Sequence, residues 1–131
     1  MMYQTYAMEL ASYGFMVFVL DHHDGSCCYT ENATGYQTWT FDNKAPHMES
    51  ADLSNKVNIR RDEVITLIDC ISKPDFLQNG LLFSSEAKLD LDKLVMSGHS
   101  FGGSTSINVA NSDPRIKCMF TQDAWLRPLT N

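Results

Sequence analysis

Positive charge is scarce in this chain: 10 Lys and Arg stand against 16 Asp and Glu among 131 residues, for a net charge of −6. Such a balance offers no basic surface to displace counterions from nucleic acid, so DNA and RNA are not expected partners. Long apolar runs are also missing. The longest, around Gly14 to Leu20, is strand-length, well short of the roughly 18 to 20 residues that a membrane-crossing helix needs. The opening Met1-Met2-Tyr3-Gln4 has neither a basic leader nor an apolar stretch behind it, so no signal peptide is expected; secreted and cytoplasmic locations both stay open. Cys27, Cys28, Cys70 and Cys118 form no C-x-x-C pair and are too few for a disulfide scaffold, which makes ordinary free thiols the expectation. Asn32-Ala33-Thr34 is a glycosylation sequon that matters only in a secreted chain. No repeat and no low-complexity tract occurs.

What is present is the composition of one soluble globular domain, 44% hydrophobic and 20% charged. Tyr3, Tyr6, Ala7, Leu10 and Ala11 recur at helical spacing and Gly14 follows, predicting a helix over about 3–13. Phe15 to Leu20 is a continuous branched and aromatic run, as expected of a strand buried on both faces of a parallel sheet. From Ser26 to about Ser54 no period is sustained, predicting a long surface excursion that borders a cleft or is plain solvent loop. Val57, Val64, Leu67, Ile68 and Ile71 share one stripe of a helix from about Leu53 to Ser72, with Arg60, Arg61, Asp62 and Glu63 placed outside the stripe and Lys73-Pro74 as the stop. A short helix is expected around Ser85 to Asp90. Lys93 to Gly98 reads as a strand, Gly102 to Ala110 as a small-residue helix and Ile116 to Thr121 as a further strand. The whole is an α/β pattern.

The chemistry centres on Gly98-His99-Ser100-Phe101-Gly102. A serine hydroxyl is a weak nucleophile at neutral pH and needs a sharp turn, a neighbouring base and N–H donors for an oxyanion. The G-x-S-x-G elbow meets the first need when a strand precedes it and a helix follows, as here; a glycine-rich connecting turn is the plainer alternative. Ser100 is thus the candidate nucleophile and the backbone N–H of Phe101 a candidate oxyanion donor. In such folds an acid follows at the end of a later strand, and Asp123 stands there, with a turn cap as its plainer role. No base is evident. His22, His23, His47 and His99 all precede Ser100; His99 would point away from the hydroxyl, and His22 and His23 read as a solvated loop beyond a strand end.

Gly98-His99-Ser100-Phe101-Gly102-Gly103 and the later Asp123-Ala124-Trp125-Leu126-Arg127-Pro128-Leu129 resemble the elbow and acid strand of the platelet-activating factor acetylhydrolases, calcium-independent group VII phospholipases A2. Leu10 to Phe15 and Asn58 to Val64 are similar to segments of the same family; 24–53 and 75–92 match weakly. The resemblance implies a partial α/β-hydrolase fold, a mostly parallel sheet with helices on both faces, with Asp123 as triad acid. It also implies a His-Gly oxyanion motif and a catalytic histidine, both outside this sequence. The strand leading to the former would lie between Phe15–Leu20 and Lys93–Ser97. Without it, two rows of backbone groups would lack partners at about 1 to 3 kcal/mol for each buried group. Residues 1–131 are therefore expected to be the central part of one α/β-hydrolase domain, inactive alone.

The resemblance implies hydrolysis of the sn-2 acetyl or short acyl ester of a phospholipid through an acyl-enzyme on Ser100, with no cofactor and no metal. Two alternatives remain open. One is another carboxylesterase or polyester hydrolase on this fold, because the elbow does not choose the acyl group; the other is a non-catalytic lipid-binding or interaction module. Trp39 and Phe41 are candidates for peripheral contact with a lipid surface, or simply exposed aromatics.

Overall fold

The computed structural model describes residues 3–26, 30–31, 34–35, 37–38, 49–81, 84 and 86–130. Its centre is a strand–helix–strand unit: β3 (Leu94–His99), α3 (Phe101–Ser112) and β4 (Ile116–Gln122). β3 and β4 pair in parallel, from Leu94 opposite Ile116 to His99 opposite Gln122, with one register shift between Leu94 and Val95. Both strands therefore end together at their carboxyl edge. This is the mixed, parallel arrangement of a partial α/β-hydrolase fold.

α3 lies across both strands and against the long helix α2 (Ser50–Ile71). Val64 and Ile68 of α2 meet Val109 of α3, and Leu94, Met96 and Ile116 close the cluster from the sheet. Gly103, Ser104, Thr105 and Ser106 are buried on α3, and their small size lets the helix sit low on the strands. Their hydroxyls are satisfied locally: Thr105 and Ser106 donate to the carbonyls of Phe101 and Gly102, and Ser104 to that of Trp125. On the alternate side of β3, Tyr6 of α1 (Gln4–Ser12) bonds Ser97 and Tyr3 bonds His99, so helices flank both faces.

Three expectations need correction. Phe15–Leu20 is extended but belongs to no sheet among the described residues, and Phe15 is 56% exposed and Val19 44% exposed. A parallel strand is defined by the neighbour that takes up its backbone groups, and no described strand borders this run. Val17, Phe18 and Leu20 are half-buried, with Phe18 against Phe76 and Leu20 on the core cluster, while Phe15, Met16 and Val19 are exposed. Arg60, assigned to the outer face of α2, is instead buried in the stripe with Leu53, Val57, Val64, Ile68 and Ile71. It can be there because Asp24 receives its Nε at 2.6 Å. The helix expected near Ser85 to Asp90 is absent over the described 86–90; a π-helical turn at Phe76–Gly80 and a 3-10 turn at Leu91–Lys93 stand on either side. Within the long excursion, β1 (Thr30–Glu31) and β2 (Gln37–Thr38) form a small antiparallel pair, while 39–48, with Trp39, Phe41 and His47, lie outside the described residues. So do Asn32, Ala33, Cys27 and Cys28; Cys70 and Cys118 are free thiols.

Two local features yield measurable outcomes. A Cβ at Gly103 would stand 2.7 Å from Ala124 Cβ and 2.8 Å from Ala124 Cα, whereas at Gly102 nothing lies within 4 Å. Gly103→Ala should therefore destabilise by about 1–3 kcal/mol in urea unfolding, and Gly102→Ala should not destabilise at all. Burial raises the Asp24 carboxyl, but the hydrogen bond and charge of Arg60, with two bonds from Ser26, outweigh it and hold the group below its ordinary value of 3.8. The resulting stability is complete above that value and drains away as pH falls through the lower, folded one. Stability profiles should accordingly show a steeper acid limb in the natural protein than in Asp24→Asn, below about pH 4.

Candidate active site

At the carboxyl edge of β3 the chain reverses into α3 at Ser100, whose φ of 54° and ψ of −116° lie where L-residues rarely go. A conformation of that kind costs on the order of 1–3 kcal/mol and persists only where its surroundings enforce it. The enforcement comes from β4 and the segment behind it. Ser100 N–H donates to the carbonyl of Gln122 at 3.1 Å, and the Ser100 carbonyl accepts Trp125 N–H at 2.9 Å and Gly103 N–H at 3.0 Å. The turn also needs two bare α-carbons. A side chain on Gly98 would collide with the carbonyl of Gly102, and one on Gly103 with Ala124.

Asp123 follows the last residue of β4, is exposed and has a φ of 44°. Short polar residues tolerate this left-handed region better than others. Because Gln122 faces His99 across the ladder and holds Ser100 by its carbonyl, the elbow and Asp123 share one edge of the sheet. Phe101 opens α3; its N–H is in the first turn, where helical N–H groups have no intrahelical acceptor and face outward along the axis.

The Phe101 ring has two partners that the sequence reading did not foresee. The Arg60 guanidinium carbon lies 4.3 Å from its centroid, and Trp125 meets it at 5.7 Å and 56°. Arg60 is fixed in turn by Asp24 and by Ser26 Oγ, while Lys56 Nζ donates to the Asp24 carbonyl at 2.6 Å. The signal was available in the spacing 53, 57, 60, 64, 68, 71, which puts Arg60 on the buried stripe regardless of its charge.

The histidines go elsewhere. His22 Nδ1 is 2.6 Å from Glu63 Oε2, His23 N–H donates to Glu63 Oε1 at 3.1 Å, and His99 Nδ1 is 2.6 Å from the Tyr3 hydroxyl. The pair read as a solvated loop is thus tied to α2. His99 lies with the alternate side chains of β3 that face α1. Among the described residues no cluster of three His, Cys, Asp or Glu side chains could hold a metal, and no helix is long and apolar enough to cross a membrane. A cavity of about 390 Å³ between α2, α3 and Pro128–Leu129 opens near Asn108 and Asn111, toward the end of α3 remote from Ser100.

Known proteins are similar to this chain in sequence. The sequence model of the family described as platelet-activating factor acetylhydrolase, isoform II, matches residues 1–131. Platelet-activating factor acetylhydrolase from Canis lupus familiaris is 29% identical over 144 residues, which cover 97% of this chain and 32% of the relative. The Cavia porcellus protein of the same name is 28% identical over 142 residues, and the Bos taurus one 28% over 144, each with the same two coverages. The chain thus spans about a third of the length of these curated relatives. With the family model matched from first residue to last, the chain belongs to the platelet-activating factor acetylhydrolase, isoform II, family.

Proposed function

We propose that this chain carries the nucleophile and the triad acid of a serine ester hydrolase acting on the sn-2 acetyl or short acyl ester of a phospholipid. Ser100 Oγ attacks the ester carbonyl, its proton passes to an imidazole, and the tetrahedral oxyanion is held by Phe101 N–H together with a second donor. Collapse expels the lysophospholipid alcohol, which takes the proton, and leaves an acyl-serine that water then hydrolyses. Asp123 orients the imidazole and stabilises its cation. The observation that carries this reading is the positive φ of Ser100, held by backbone bonds from Gln122 and Trp125 beside Asp123. A mere connecting turn would need no such enforced strain at a serine. The same strain weighs against a non-catalytic lipid-binding module, and the names of the relatives favour the phospholipid ester over a simpler carboxylic or polymeric one.

The imidazole and the second donor belong, in this reading, to other parts of one α/β-hydrolase domain of which residues 1–131 are the centre. Two findings support that. Phe15–Leu20 is extended without a ladder among the described residues, and the chain covers about a third of the relatives named above.

In the protein as naturally expressed, a fluorophosphonate probe should label Ser100, and Ser100→Ala should abolish both labelling and turnover. Asp123→Asn should lower kcat by about 10³–10⁴ with the protein still folded. Short sn-2 esters of phosphatidylcholine should outcompete p-nitrophenyl acetate in kcat/KM, and the reverse order would favour a general carboxylesterase. The 131 residues expressed alone should show no Ser100-dependent hydrolysis. Ser100→Gly should be more stable than Ser100→Ala by about 1 kcal/mol, because only glycine is relaxed at that φ; equal melting temperatures would mean the strain is not real.

A further inference from the structure

The most deeply buried ion pair described, Arg60 with Asp24, is not needed to close the core. Their side chains are 10% and 0% exposed, and an isolated pair at such a site gains little over well-packed apolar residues of similar size. Its geometry, however, is directed. Asp24 is anchored on several sides: Ser26 N–H and Oγ donate to its carboxylate, Lys56 to its carbonyl, and Arg60 Nε to Oδ2 at 2.6 Å. The guanidinium so held lies 4.3 Å from the centroid of the Phe101 ring, well within the range of a cation–π contact. Trp125, whose N–H clamps the Ser100 carbonyl, meets the same ring.

We propose that Asp24 and Arg60 are positioning residues for the oxyanion donor: the anchored guanidinium grips the Phe101 ring and thereby fixes the direction of Phe101 N–H. The inference rests on the reading of Phe101 N–H as a donor to the tetrahedral intermediate. Phe101 is the first helical residue after a strained one, so its own helical neighbours constrain it on one side only. The ring contacts supply the other constraint. Arginine is required because its planar fork can bond Asp24 edge-on while presenting a flat face to an aromatic ring; a lysine ammonium has no such face. Through this contact the loop 21–26, which follows the extended Phe15–Leu20 run, is mechanically joined to the elbow.

The test uses the naturally expressed protein with Arg60→Lys, Phe101→Leu, their combination, and the apolar pair Asp24→Leu with Arg60→Met. The readouts are kcat, KM and the inhibition constant of a trifluoromethyl ketone, which adds to Ser100 as an anionic hemiketal. Each single variant should lose about 10- to 100-fold in kcat with KM within about twofold, since a misdirected donor harms the transition state and not the bound ester. Ketone affinity should fall by the same factor. The Arg60→Lys and Phe101→Leu losses should not multiply in the double variant, because both sever one contact. The apolar pair should fold as well as the natural protein and show the same kinetic loss, so the outcome stands even if Arg60→Lys does not fold. Unchanged kcat and ketone affinity in folded variants, or losses that multiply, would overturn the proposal. Full turnover in Ser100→Ala would instead overturn the underlying reading; a dead Ser100→Ala beside a fully active Arg60→Lys would sink the positioning role alone.

Discussion

The contact between the backbones of Gly98 and Gly102 sets how steeply the chain can turn from β3 into α3. With no side chain on Gly98 to strike the Gly102 carbonyl, the helix starts almost on top of the strand it leaves, and the residue between must take whatever dihedrals complete the reversal. That residue is Ser100. Its strain is balanced by hydrogen bonds to a different strand and to the segment after it. Because those bonds come from Gln122 and Trp125, the residues on either side of the Asp123-Ala124 step, the geometry of the turn and the position of the acid are one structural fact.

Much of this was legible in the sequence, and the legible parts share a cause. β3, α3 and β4 were readable because their patterns depend on near neighbours: a short apolar strand, a small-residue helix, a turn at Asp113-Pro114, a second strand. The same holds for α2 and its stop before Lys73-Pro74. Phe15–Leu20 failed the test for the opposite reason. Its residue types state what a strand interior prefers, but whether a ladder forms depends on which segment lies alongside, and that is not written in six residues.

The site shows the same division. Ser100 and Phe101 stand out because a motif with a physical mechanism sets them in a strand–turn–helix context, and Asp123 because it stands at the end of the next strand. Asp24 and Arg60 do not, because the charge of Arg60 suggests a face toward water while its spacing puts it on one line of the helix with 57 and 64. A cation on a buried stripe, with a carboxylate to be found for it, is a legible signal once the spacing is trusted. His22 and His23 are not legible in this way, since nothing in the sequence near them announces Glu63, some forty residues on, as their partner.

The left-handed backbone at Asp123 narrows the alphabet before any chemistry is asked of it. Glycine, asparagine and aspartate rest there with little penalty, most other side chains do not, and of the three only aspartate carries negative charge. Shape and acidity thus select the same letter from independent directions. Most random changes at this position would be rejected by the polypeptide itself, whereas asparagine passes that filter and removes only the charge, which makes it the cleanest silent-shape probe the molecule offers.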